Sequence, residues 1–238
     1  MSEIQPINVM KRYELKYVLT KEQVEFIKYR LAEYMELDQY GRTSIASLYY
    51  DTPDYRLIRN SIEEPQFKEK MRLRSYGLAT KDSPLFLEIK RKYDSVVYKR
   101  RIKTTQNQIN AFFNKGEKIG DDDQIAKELC YFRDYYRNLV PACLIIYDRE
   151  AYFERNGDLR LTIDFNPRYR LDNLNLTTSM EGISLLKEGE AILEIKVQEA
   201  MPLWLTHILN EGNIKKSSFS KYGTAYKIEK AQRVSAVA

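Results

Sequence analysis

Leu87-Glu88-Ile89-Lys90 and Leu193-Glu194-Ile195-Lys196 are one four-residue string written twice, and Glu14-Leu15-Lys16 repeats its charged pattern. Each lies in a run that reads as a β-strand. Strand side chains alternate between faces, so Glu and Lys two apart share one face while Leu or Ile takes the other. Neighbouring runs keep the alternation. One face collects Arg12, Glu14 and Lys16; Arg72 and Arg74; Glu88, Lys90 and Lys92; Lys99 and Arg101; Arg149; Arg160, Thr162 and Asp164; Glu194 and Lys196. The opposite face carries Leu15 and, after a shift, Val18; Met71 and Leu73; Leu87 and Ile89; Leu159, Leu161 and Ile163; Leu193 and Ile195.

For one strand the plain reading is an antiparallel sheet with its apolar face on a core and its charged face in water. Arginine and lysine recur in strand after strand, however, and amphipathic helices are available to cover the apolar face. If the sheet closes, the charged face becomes a lumen. Two like charges 4 Å apart repel by roughly 4 kcal/mol at an effective dielectric of about 20. Interleaved carboxylates reduce that cost, and a bound polyanion removes it. Arginine forks match phosphate oxygens in pairs, lysine supplies point charges, and a carboxylate can hold Mg²⁺ or Mn²⁺ against the phosphates. Such a site transfers phosphoryl groups by positioning and electrostatics, without a protein nucleophile.

The remaining elements follow from local signals. Strands are expected over 11–19, 45–51, 66–76, 85–93, 96–103, 143–154, 158–166 and 191–197, with a weaker one near 169–172. Arg155-Asn156-Gly157 is the clearest hairpin turn. Thr20 and Gln23 form a capping box for a helix running to about Leu37, with Val24, Ile27, Leu31 and Met35 on its apolar face. Thr104 or Thr105 caps a short helix with Ile109, Phe112 and Phe113. Asp121-Asp122-Asp123 precedes a long helix carrying Ile125, Leu129, Phe132 and Tyr136, and reads as a cap that complements the dipole. Helices are also expected from Pro202 through Leu209 and over 220–233. The pattern is α+β, one domain over residues 1–238: antiparallel strands with helices inserted between groups of them, and an antiparallel β-barrel with helices packed outside if the charged sheet closes.

The chain has 238 residues and a net charge of +5, basic without the polybasic tails of bulk nucleic-acid binders. Its 19 tyrosines form no RNA-stacking motif, so no specific nucleic acid is expected. Cys130 and Cys143 have no paired spacing and read as buried thiols in a reducing compartment. The N-terminus has no signal-peptide core, and no apolar run approaches the ~20 residues of a membrane span. The expected location is cytoplasmic. The one histidine, His207, lies in an apolar helix and supports neither a Ser-His-Asp relay nor a histidine metal site. No glycine-rich phosphate loop is present.

Nine segments in order resemble the triphosphate tunnel metalloenzyme (CYTH-like) superfamily. The likeness is closer to its VTC branch, the polyphosphate polymerase domain of the vacuolar transporter chaperone complex and its bacterial relatives. They are Arg-Tyr-Glu-Leu-Lys-Tyr (12–17), Ser-Leu-Tyr-Tyr-Asp-Thr (47–52), Lys-Met-Arg-Leu-Arg (70–74), Leu-Glu-Ile-Lys (87–90) and Tyr-Lys-Arg-Arg (98–101). Further along come Tyr-Asp-Arg-Glu-Ala-Tyr (147–152), Arg-Leu-Thr-Ile-Asp (160–164), Leu-Glu-Ile-Lys-Val (193–197) and Ser-Phe-Ser-Lys-Tyr (218–222). The resemblance implies a triphosphate tunnel that binds triphosphate or inorganic polyphosphate with Mn²⁺ or Mg²⁺. It implies phosphate contacts from Lys16, Arg72, Arg74, Lys90, Lys99, Arg149, Arg160 and Lys221, joined by Arg101 and Lys196 on the same face. Glu194 would hold the metal, with Glu14 and Glu88 as further carboxylates, and Tyr147 would line the tunnel. Arg12 stands at the first Glu of the CYTH pattern Glu-x-Glu-x-Lys, which favours the polymer-handling branch. Ser218 stands where the VTC pattern has lysine, with Lys215 and Lys216 as the nearest replacements. The implied activity is polyphosphate polymerase using a nucleoside triphosphate. A tripolyphosphate or nucleoside-triphosphate hydrolase, or a binding module with little turnover, are the alternatives. The eukaryotic relatives carry regulatory and membrane domains, so a membrane-protein partner not encoded in this chain is also implied.

Overall fold

The computed structural model describes residues 13–63, 66–94, 96–121, 123–155, 157–197 and 200–235. Arg12, Asp122 and Asn156, each singled out in the sequence, lie outside them. In chain order the elements are β1 (Tyr13–Leu19), α1 (Lys21–Leu31), β2 (Met35–Leu37), β3 (Thr43–Asp51), α2 (Arg56–Ile62), β4 (Phe67–Tyr76), β5 (Leu85–Tyr93) and β6 (Val96–Thr104). They continue with α3 (Gln106–Asn114), α4 (Gln124–Tyr136), β7 (Val140–Glu154), β8 (Arg160–Arg170), β9 (Ile183–Ser184), β10 (Ala191–Val197), α5 (Leu203–Glu211) and α6 (Lys221–Ser235).

The strands form one antiparallel sheet in the order β1-β10-β8-β7-β3-β4-β5-β6, with β2 on β7 and β9 on β8. Its convex face carries the apolar residues of the alternation. Leu161, Ile163, Leu193 and Ile195 pack with Ile27 and Leu31 of α1 and Leu205 and Ile208 of α5. Met71, Leu73, Leu87 and Ile89 pack with Ile109 and Phe112 of α3 and Leu129 and Phe132 of α4. The helices start where capping chemistry places them. Thr20 with Gln23, and Thr105 with Gln108, form complete capping boxes, and Asp123 caps α4.

Three expectations differ from what is found. The helix from Thr20 ends at Leu31, because Met35, Glu36 and Leu37 pair with Glu154, Phe153 and Tyr152 as a strand. Val18 is not on the core face: β1 pairs with β10 without a shift, so Leu15, Tyr17 and Leu19 point to the core. The sheet also does not close into a hydrogen-bonded barrel, since β1 and β6 remain its two edges. The outer edge of β1 is already occupied. Ser217 N–H donates to the Lys16 carbonyl at 2.8 Å, and Val18 N–H donates to Ser217 Oγ at 3.0 Å. Side chains span the seam instead, with Lys90 Nζ 2.6 Å from Glu14 Oε2.

One end of the concave face is filled. There α6 lays Tyr222 and Ala225 against Tyr49, Ala142, Cys143 and Tyr169. Tyr222 stacks on Tyr49 and donates to buried Asp51, which also caps the first backbone N–H groups of α2. The concave face is therefore a charged trough, stoppered at one end by the start of α6.

Candidate functional site: a cationic lumen

Glu88 of β5 is the hub of the trough and is 1% exposed. Arg72 Nε donates to its Oε2 at 2.7 Å, and Lys99 Nζ lies 2.9 Å from Oε1. Arg74 and Arg101 each approach Oε1 to 3.8 Å. Burial alone would raise its pKa, but Arg72, Arg74 and Lys99 outweigh burial and bring it to about 2. The arginines are themselves held in place. Arg72 donates to Tyr49 Oη at 3.1 Å; Arg74 donates to Ser47 Oγ and Tyr147 Oη, both at 3.3 Å.

A second hub is Asp164 of β8, fully buried, which takes both forks of Arg149 at 2.6 and 2.8 Å and the Lys221 ammonium. Burial pushes its carboxyl up, but Lys221 and Arg149 win and hold it at about 2. Between the hubs sits the Tyr147 phenol, whose ring lies 4.4 Å from Lys221 Nζ and 5.1 Å from the Arg149 guanidinium. Burial would raise it, yet Arg74 and Arg149 bring it down to about 8.

Glu194 of β10 contacts Lys196 at 3.1 Å and Lys16 at 3.7 Å. Its carboxyl stays well below the usual range, because Lys196, Lys16 and Arg149 overcome the cost of burial. Lys16 also donates to the Phe219 carbonyl at 3.1 Å, which ties β1 to the segment leading into α6. The sequence-derived cations thus converge on one surface, except Arg160. That side chain is exposed and donates to the Leu159 carbonyl at 3.1 Å, although its strand position lies opposite Lys196. Ser218, Lys215 and Lys216 are exposed, and so is His207.

Sequence reasoning did not single out Lys70 as a site residue. It shares the parity of Arg72 and Arg74, lies opposite Lys90, and its Nζ donates to Ser220 Oγ at 3.2 Å. Ser220 also accepts from Gly223 N–H, so it caps α6 where the helix meets the lumen. Burial, with Lys16, Lys90 and Lys68 adding like charge, pushes the Lys70 ammonium down to about 7. The parity signal was available. The approach of Ser220 from 150 residues away along the chain was not.

Titration of Lys70 has two opposite consequences. Its folded pKa is below that of a free lysine, so the unfolded chain binds more protons from about pH 7 to 10.5, and stability rises with pH across that window. A Lys70→Met variant should therefore melt above wild type near pH 6 and lose that advantage by pH 10. Anion binding runs the other way: tripolyphosphate affinity of the wild type should fall as pH rises through about 7, and less so in Lys70→Met. Calorimetric titration at pH 6, 7 and 8.5 checks this; equal pH slopes would place Lys70 outside the anion's reach.

Among the described residues no three histidine, cysteine or acidic side chains cluster as a metal site. A hard cation held mainly by phosphates needs only one or two protein carboxylates. Glu14 and Glu194 are diagonal neighbours across β1 and β10, because Glu14 lies opposite Lys196 and Lys16 opposite Glu194. Beside Glu194, Thr162 carries a buried hydroxyl with no hydrogen-bond partner. That oxygen set fits a hard cation accompanied by phosphate. Glu88, enclosed by four cations, fits one poorly. No helix among the described residues is long and apolar enough to cross a membrane.

Solved structures share this architecture at low identity. A candidate adenylate cyclase from Bacillus halodurans is 13% identical with a TM-score of 0.55, over 89% of this chain and 96% of that one. A candidate adenylyl cyclase from Hippeastrum, described with a dominant triphosphatase activity, is 16% identical with a TM-score of 0.55, over 90% and 93%. One from Vibrio parahaemolyticus is 11% identical with a TM-score of 0.50, over 91% and 98%. The shared fold is the triphosphate tunnel. No curated protein matches the chain. The VTC domain model matches residues 11–230, nearly the full length, and the chain belongs to the VTC-domain family.

Proposed function

We propose that this chain transfers phosphoryl groups within its cationic trough and that the reaction is polyphosphate synthesis. The terminal phosphoryl group of a nucleoside triphosphate passes to the end of an inorganic chain: the bond to the nucleotide's bridging oxygen breaks, a new phosphoanhydride forms, and the nucleoside diphosphate leaves. The observation that carries this reading is the charge imbalance. Among the described residues, Lys16, Lys70, Arg72, Arg74, Lys90, Lys99, Arg101, Arg149, Lys196 and Lys221 share one surface with the carboxylates of Glu14, Glu88, Asp164 and Glu194. A dense linear anion is the ligand that best offsets such an excess.

In this reading Arg72 and Arg74, already fixed by Tyr49, Ser47 and Tyr147, present forks to phosphate oxygens without reorganising. Lys16, Lys70 and Lys221 gather near the amino end of α6, whose dipole adds to their charge. Glu194 and Glu14 would hold Mn²⁺ or Mg²⁺, which when bound would neutralise phosphate charge and orient the transferring group. VTC-domain membership favours a polymerase, while the triphosphatase activity described for the Hippeastrum neighbour favours hydrolysis as the second reading. Incubation with ATP and Mn²⁺ should yield long-chain polyphosphate on a gel. Release of free phosphate alone would replace synthesis with hydrolysis, and neither product would leave a binding module.

A further inference from the structure

The two ends of the trough differ in chemistry. At the α6 end, Lys16, Lys70 and Lys221 crowd around the 217–221 segment, and stacked Tyr49 and Tyr222 fill the space behind them. That end therefore offers ammonium groups and the start of α6 to an anion, with an aromatic pair closing the space behind them. At the opposite end β4 finishes at Tyr76 and β5 carries Phe86 as its second residue. Phe86 lies opposite Arg74, one same-face step of about 7 Å from Glu88, and Tyr76 lies one such step beyond Arg74.

These rings form a built surface. Phe86 and Tyr76 meet edge to face with centroids 5.7 Å apart. The Arg101 guanidinium lies 3.6 Å from the Phe86 centroid and 5.6 Å from that of Tyr76, and donates to Tyr76 Oη at 3.3 Å. The same Arg101 reaches inward to Glu88 at 3.8 Å. One residue therefore belongs both to the phosphate surface and to a π-faced mouth. Tyr76 remains 51% exposed, although its hydroxyl is anchored. A fixed aromatic ring and a guanidinium plane at the edge of a phosphate-binding surface suit a flat heterocycle joined to a phosphate chain.

We propose that Tyr76, Phe86 and Arg101 seat the base of the donor nucleoside triphosphate, so that its phosphates enter the trough from this mouth and point toward α6. This rests on the phosphoryl-transfer reading above and adds to it a seat for the donor's base and a direction for its phosphates. Stacking accepts any base, so the mouth should distinguish nucleotides from inorganic triphosphate while discriminating weakly between bases.

The test compares ATP, ribose 5′-triphosphate and inorganic tripolyphosphate by calorimetry. On wild type, ATP should bind about 10-fold more tightly than ribose 5′-triphosphate, which lacks the base. Tyr76→Ala should weaken ATP by a similar factor and leave tripolyphosphate within about twofold, while Tyr76→Trp should keep ATP affinity. Equal affinity of wild type for ATP and ribose 5′-triphosphate would overturn the proposal, even if Tyr76→Ala failed to fold. So would an equal loss of ATP and tripolyphosphate in a Tyr76→Ala protein that melts normally. Failure of wild type to bind tripolyphosphate at all is a separate result, which removes the phosphoryl-transfer reading itself.

Discussion

Glu88→Gln should lower the melting temperature by about 6–12 °C and, unlike most destabilising changes, be rescued by tripolyphosphate. Removing one member of a buried charge cluster costs about 3–5 kcal/mol because its partners stay buried and uncompensated. The low end applies here, since Lys99 and Arg101 reach solvent and can rehydrate while Arg72 and Arg74 cannot. A loss of about 3 kcal/mol corresponds to about 6–12 °C for a chain of this size. The pH dependence fixes the cause. Glu88 has its carboxyl lowered from 4.5 to about 2, so its stabilisation is fully present above pH 4.5 and disappears as pH falls toward 2. The gap between wild type and Glu88→Gln should close over that window. Bound tripolyphosphate supplies the missing negative charge, so the ligand-induced rise in melting temperature should be larger in the variant than in wild type. An equal rise would mean that the ligand does not meet the cations around Glu88.

Much of this arrangement is legible in the sequence because it follows from alternation, a local rule. The bounds of β10 coincide with those read from the pattern, the Thr20–Gln23 capping box is present, and of the two threonines offered for α3 it is Thr105 that caps. What was not legible depends on distant segments. Met35 continues the helical spacing of Val24, Ile27 and Leu31, and only its pairing with Glu154 across the sheet turns it into a strand. The pattern gives one strand over 158–166 and a separate, weaker one near 169–172. β8 instead runs on through Asn166 and Pro167 to Arg170, absorbing the break in a bulge opposite Ile146 and Asp148 with Asn166 at φ 47°. The charged face leaves closure open and the family resemblance implies it, but Ser217 occupies the edge of β1 that a barrel needs. At the site the same division holds: Arg72, Arg74 and Glu88 follow from parity. The meeting of Lys70 with Ser220, and of Asp164 with Lys221, depends on where α6 docks.

Glu194→Gln and Arg74→Ala should separate turnover from binding. Glu194 is neutralised by Lys196 and Lys16, so removing its charge leaves two cations facing the trough without their carboxylate. Metal-free affinity for polyphosphate should hold or increase. Turnover should fall roughly 100-fold or more, because the ligand best placed to hold a hard cation is gone and metal stabilisation of a phosphoryl transition state is worth several kcal/mol. Arg74 acts oppositely. It is buried, fixed by Ser47 and Tyr147, and offers charge-assisted hydrogen bonds worth about 1.5–3 kcal/mol each, so Arg74→Ala should weaken tripolyphosphate about 10- to 100-fold with or without metal. The readouts are calorimetric affinity without metal and product formation across a Mn²⁺ titration. Wild-type turnover by Glu194→Gln at limiting Mn²⁺ would move the metal to Glu14, its diagonal neighbour on β1, and Glu14→Gln would then show the loss. A turnover defect that excess Mn²⁺ restores would instead keep Glu194 as the ligand, since weakened coordination can be overcome by mass action whereas a misplaced phosphate cannot.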